Sequence, residues 1–111
     1  MYSNDEIMQL INLVAEVTEP DKIILFGSYA YGQPTDKSDL DLLVIKNGKD
    51  ITFDDEVAFD IAIYEKRKQL KNKTSYDIFY GTEKQLREIA ENGGVFVDAL
   101  QKGKILYERA S

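Results

Sequence analysis

The sequence contains no cysteine and no histidine. Without cysteine there is no disulfide framework and no thiolate nucleophile, a pattern that fits a cytoplasmic protein. Without histidine, triads that use an imidazole base are excluded, as are zinc sites built on imidazole or thiolate. Acid/base or metal chemistry in this chain must therefore use carboxylates. No apolar run approaches the roughly 20 residues that a membrane-spanning helix needs. The first residues, MYSNDEIMQL, lack the basic segment and continuous apolar stretch of a secretory signal. The expectation is a soluble, cytoplasmic protein with no membrane partner. Positive charge is also scarce, since 14 Lys and Arg against 20 Asp and Glu leave a formal net charge of −6. Sequence-independent binding to nucleic acid draws its free energy from basic residues displacing counterions, so no direct nucleic-acid binding is expected. Any phosphate bound here calls for divalent cations.

What is present is enough for one globular domain over residues 1–111: the hydrophobic fraction of 43% suffices for one core, and the length leaves no room for a second module. Ser3 and Glu6 read as a capping box ahead of Ile7, Leu10, Ile11, Val14 and Val17, which recur at helical spacing and predict a helix over residues 4–17. A turn at Glu19-Pro20-Asp21 leads into the β-branched run Lys22 to Phe26, read as a buried strand that Gly27-Ser28 ends abruptly. Residues 28–31 suit a short helix, Gly32 and Pro34 break it, and a polar loop runs through Ser38 to a second strand, Leu40 to Ile45, closed by Asn47-Gly48.

Farther on, Phe53 to about Asn72 predicts a helix. Phe53, Val57, Ile61 and Tyr64 form its apolar face, and the acids at its start and bases toward its end match the helix macrodipole. Ser75 to Tyr80 reads as a third strand, Thr82 with Gln85 opens a helix through about Glu91, and a short helix over Val95 to Lys102 precedes a terminal Ile105 to Tyr107. The pattern is α/β. The short, irregular link between the first two strands leaves parallel pairing open.

The chemistry concentrates in FGSYAYGQPTDKSDLDLLVI, Phe26 to Ile45. Alternate residues of a strand share a face, so Asp39 and Asp41 are neighbours while Leu40 and Leu42 point the other way. Like charges that close disfavour folding unless a cation sits between them, and a hard, oxygen-ligated ion such as Mg²⁺ suits the pair. By itself, an Asp-x-Asp pair is more often a solvated strand edge, and a Gly-Ser pair more often a strand-ending turn. Here Gly27 allows close approach of backbone or phosphate, and Ser28 offers a hydroxyl and an N–H at a helix start.

Gly27-Ser28, ten intervening residues, then Asp39-Leu40-Asp41 after an apolar strand resembles the signature of the DNA polymerase β-like nucleotidyltransferase superfamily. Within it, the chain is similar to the minimal nucleotidyltransferases, whose third acidic residue falls on Asp77 in SYDIFYGTEKQL and whose ending resembles Gly103 to Tyr107. The resemblance implies a single-domain nucleotidyltransferase fold, a small mixed β-sheet flanked by helices. It also implies two-metal nucleotidyl transfer, with ATP as donor, Asp39, Asp41 and Asp77 as catalytic and Mg²⁺-holding residues, and Gly27 and Ser28 as nucleotide-binding residues. Asp77 would help to deprotonate the attacking hydroxyl. Relatives of this kind are commonly paired with a HEPN-type ribonuclease toxin and act as its antitoxin by adding AMP to a tyrosine. Two other functions stay open: transfer to a small-molecule hydroxyl, and a non-catalytic antitoxin that occludes its partner. Many members read Gly-Ser-Arg-Ala-Arg-Gly where this chain has Tyr29 and Tyr31, either packing aromatics or a stacking face in place of phosphate-binding guanidinium groups.

Overall fold

The computed structural model describes residues 1–110, with only the backbone at Val95, so Ser111 lies outside the described residues. In chain order the elements are α1 (Asn4–Thr18), β1 (Lys22–Phe26), α2 (Ser28–Tyr31), β2 (Leu40–Ile45), α3 (Phe53–Arg67), β3 (Tyr76–Gly81), α4 (Glu83–Glu91), α5 (Val95–Lys102) and β4 (Lys104–Glu108). The strands form one mixed sheet in the order β3-β2-β1-β4. β1 runs antiparallel to both β2 and β4, whereas β2 and β3, joined through α3, are parallel. This is the α/β architecture expected, with one addition: the terminal Ile105 to Tyr107 segment is part of a fourth strand, an edge on β1.

Local chemistry sets the element boundaries. Ser3 and Glu6 close their capping box reciprocally, Glu6 N–H donating to Ser3 Oγ at 3.1 Å and Ser3 N–H to Glu6 Oε1 at 2.9 Å. Thr52 with Asp55 and Thr82 with Gln85 do the same for α3 and α4. Gln85 also receives the Ile51 N–H at 3.0 Å and donates to the Ile51 carbonyl at 3.1 Å, so the start of α4 anchors the segment that leads into α3.

The sheet is sandwiched. Leu10, Ile11 and Val14 of α1 and Ile63 of α3 pack on Ile23, Leu25, Leu40, Leu42 and Val44, while Leu86 of α4 and Ala99 of α5 cover Ile24, Phe26, Leu43 and Ile45 on the opposite face. Because β2 is central and covered on both sides, its side chains from Leu42 to Ile45 are all buried, which explains a continuous apolar run where a half-exposed strand would alternate. Each such Leu or Val contributes about 1.5–3 kcal/mol of burial.

The helix α3 departs from expectation in its end and its rotation. It stops at Arg67, where Gln69 and Leu70 N–H groups turn back to the Lys66 and Arg67 carbonyls, rather than running to Asn72. The stripe of Phe53, Val57, Ile61 and Tyr64 faces solvent. The buried face carries Ile63, with Phe59 partly buried against the same core. Two apolar stripes compete on this helix. The second wins because Asp60 accepts a hydrogen bond from the buried Tyr80 hydroxyl at 2.6 Å and Phe59 packs on the Tyr80 ring at 5.3 Å between centroids.

Candidate active site

The three aspartates singled out from the sequence are brought together by strand register. Asp41 lies directly opposite Asp77 in the parallel β2–β3 ladder, with Leu40 opposite Tyr76. Adjacent strands are about 4.8 Å apart and opposed residues share a face, so the Asp41 and Asp77 carboxylates project side by side. Asp39, two residues before Asp41, projects from the same face about 6.6 Å along the chain. Extending the register places Asp39 beside Ser75, whose hydroxyl donates to Asp39 Oδ1. Ser75 belongs to the site although the motif reading did not assign it. Its signal in the sequence is its spacing of two from Asp77, which puts both on one side of the chain where it enters β3.

The surface beside the carboxylates is aromatic: Phe26, opposite Asp41 in the β1–β2 ladder, packs with Phe79 and Phe96 at centroid distances of 5.2–6.3 Å. Asp41 is half-buried there, whereas Asp39 and Asp77 are exposed. Burial first, then the charges of Asp77 and Asp39, push the Asp41 carboxyl above the usual carboxylate range. Among the described residues no Lys or Arg forms an ion pair with any of the three.

Gly27 is required twice. Its backbone sits at φ 75°, ψ −158°, a region essentially reserved for glycine. A Cβ built on it would also stand 2.3 Å from Asp41 Oδ2. The chain thus passes directly against the Asp41 carboxylate before Ser28 opens α2, where the Ala30 and Tyr31 N–H groups turn back to the Gly27 carbonyl at 3.0 and 3.2 Å. Tyr29 turns away from the site: its hydroxyl accepts from the Tyr2 N–H at 3.2 Å and its ring meets the Tyr2 ring edge-on. It is a packing aromatic. Tyr31 is 47% exposed.

The donor set of three carboxylates, crowded on one face and uncompensated by a basic side chain, suits a hard divalent cation such as Mg²⁺. The three are neighbours rather than a closed cage, since among the described residues no group of three or more acidic side chains is arranged to hold an ion. The residues that would hold one are Asp41, Asp39 and Asp77, brought to one face by backbone register.

The family model described as polymerase beta, nucleotidyltransferase matches residues 8–111. The chain belongs to this family. The match spans every strand and all three aspartates, so the nucleotidyltransferase fold and the carboxylate-bearing strands coincide in one domain. No curated protein matches the chain at a significant level. As a member of the polymerase β nucleotidyltransferase family, the chain has a fold that suggests nucleotidyl transfer. No helix among the described residues is long and apolar enough to cross a membrane.

Proposed function

We propose that this polymerase β-family protein is a Mg²⁺-dependent nucleotidyltransferase that moves AMP from ATP to a tyrosine hydroxyl of a partner protein, a HEPN-type ribonuclease toxin, and serves as its antitoxin in the cytoplasm. The observation that carries this reading is the pairing of Asp41 with Asp77 across β2 and β3, with Asp39 on the same face. Bound Mg²⁺ would supply charge neutralisation to the triphosphate and to the departing pyrophosphate. In the transfer, the acceptor oxygen bonds to the α-phosphorus as the α–β phosphoanhydride bond breaks. Pyrophosphate leaves with the electron pair, and the hydroxyl proton passes by way of Asp77 to solvent. Gly27 lets the phosphates approach the backbone, and Ser28 offers its hydroxyl and N–H to them. Ser75 holds Asp39 in place. The exposure of Asp39 and Asp77 favours an acceptor that brings its own surface, a protein rather than a small molecule enclosed in a pocket.

Incubation with labelled ATP, Mg²⁺ and a HEPN-type protein tests the reading, with label expected on a partner tyrosine. Asp39→Asn and Asp77→Asn should each lower transfer by about 100-fold or more, in line with the several kcal/mol that metal-assisted charge stabilisation contributes. Transfer that persists in both folded variants sinks the proposal. Neutralisation of the partner without transfer would show occlusion instead.

A further inference from the structure

The exposed stripe on α3 is too large and too ordered to be scattered surface hydrophobicity. Phe53, Val57, Ile61 and Tyr64 are 76, 39, 60 and 57% exposed and lie on one face of a helix whose opposite side is packed in the core. The stripe leads into a groove of about 550 Å³ between the second half of α3 and the free edge of β3, lined by Asp60, Ile61, Tyr64, Tyr76, Asp77 and Ile78. Asp77 borders this groove at the strand edge, between Tyr76 and Ile78, which face α3.

As far as Glu65 the rims of the stripe are acidic, and basic side chains enter only at its C-terminal end, where Arg67 follows Glu56 and Asp60 on the same side. At 100° per residue, Asp54 and Glu65 flank it on one side and Glu56 and Asp60 on the other. Lys68 stands over the Tyr64 ring at the C-terminal end, paired with Glu65. A second copy of the chain is a poor occupant. Antiparallel pairing of two α3 helices would set Glu56 and Asp60 of one beside Asp60 and Glu56 of the other, and like charges so placed are destabilising. A segment with an apolar face and basic flanks satisfies both the stripe and its rims.

We infer that α3 and the β3 edge form the docking surface for the protein acceptor, which binds through an amphipathic helix with Lys and Arg flanking its apolar face. Docking there seats the acceptor along the free edge of the strand that carries Asp77, whose carboxylate lies just across that edge on the other face of the sheet. This rests on the reading that the acceptor is a protein. The test uses the full chain and a dye-labelled synthetic helix with leucines on one face and Lys and Arg on its flanks, followed by fluorescence anisotropy. Saturable binding is expected. It should weaken at least tenfold, to the order expected for loss of a buried anchor, with Ile61→Asp and with a peptide whose flanks are Glu. The Ile61→Asp variant, altered at an exposed position, should keep its fold by circular dichroism and its Mg²⁺-nucleotide binding.

No binding of the basic-flanked helix, equal binding of both peptides, or indifference to Ile61→Asp overturns the docking surface. So does a dimer by light scattering that Ile61→Asp dissociates. Peptide binding with no label transferred to any protein acceptor would instead leave the surface standing and remove the transferase reading.

Discussion

Replacing Gly27 by alanine should damage the protein in two separable ways. The backbone at φ 75°, ψ −158° lies where a side chain costs about 1–3 kcal/mol. Unfolding entropy of about 2.1 cal/mol/K per residue gives roughly 0.23 kcal/mol/K for a chain of 111 residues, so each kcal/mol moves Tm by about 4 °C. The backbone term alone predicts a drop of about 4–13 °C. The new methyl would also stand 2.3 Å from Asp41 Oδ2 and 3.2 Å from its Cγ, well inside contact distance, so the carboxylate must swing aside. Mg²⁺-nucleotide binding should fall with it.

A double-mutant cycle with Asp41→Ala separates the two effects. With the carboxylate gone, Gly27→Ala should cost only the backbone term, and the difference measures the clash. Thermal melts and nucleotide titrations on the four proteins suffice. A Gly27→Ala protein that melts within about 2 °C of wild type, with no coupling to Asp41, would refute both the backbone and the contact argument.

Asp41 itself has a folded-state pKa raised by burial and by its acidic neighbours. Its contribution to the stability of the metal-free protein is therefore present below the unfolded carboxylate range and is lost as pH rises through the folded value. In EDTA at neutral pH, Asp41→Asn should melt higher than wild type and should lack this loss in a pH series; a variant that melts lower at every pH contradicts the assignment. Adding Mg²⁺ with a non-hydrolysable ATP analogue should raise the melting temperature of wild type and leave Asp41→Asn nearly unmoved. Ser75→Ala removes the donor to Asp39 and should lower transfer or metal affinity by about 10–100-fold, the usual effect of losing a group that orients a ligand. Rescue by Ser75→Thr would confirm that the hydroxyl, rather than the strand end, is responsible.

Much of this protein is decided by short-range pattern. Reciprocal caps such as Ser3 with Glu6 mark helix starts because their hydrogen bonds are local, and the run from Leu40 to Ile45 marks a strand buried on both faces. The two-residue spacing of Asp39 and Asp41 fixes their shared face before any fold is known. The pairing of Asp41 with Asp77 is different in kind, because it depends on which strand β3 adds to, in which direction and at which register. The same holds for Ser75 beside Asp39, for β4 on the edge of β1 and for Tyr29 turning to Tyr2. The rotation of α3 shows the limit most directly. Periodicity identifies Phe53, Val57, Ile61 and Tyr64 as an apolar face, but a helix with two such faces can bury only one. Contacts from Tyr80, far along the chain, select the other.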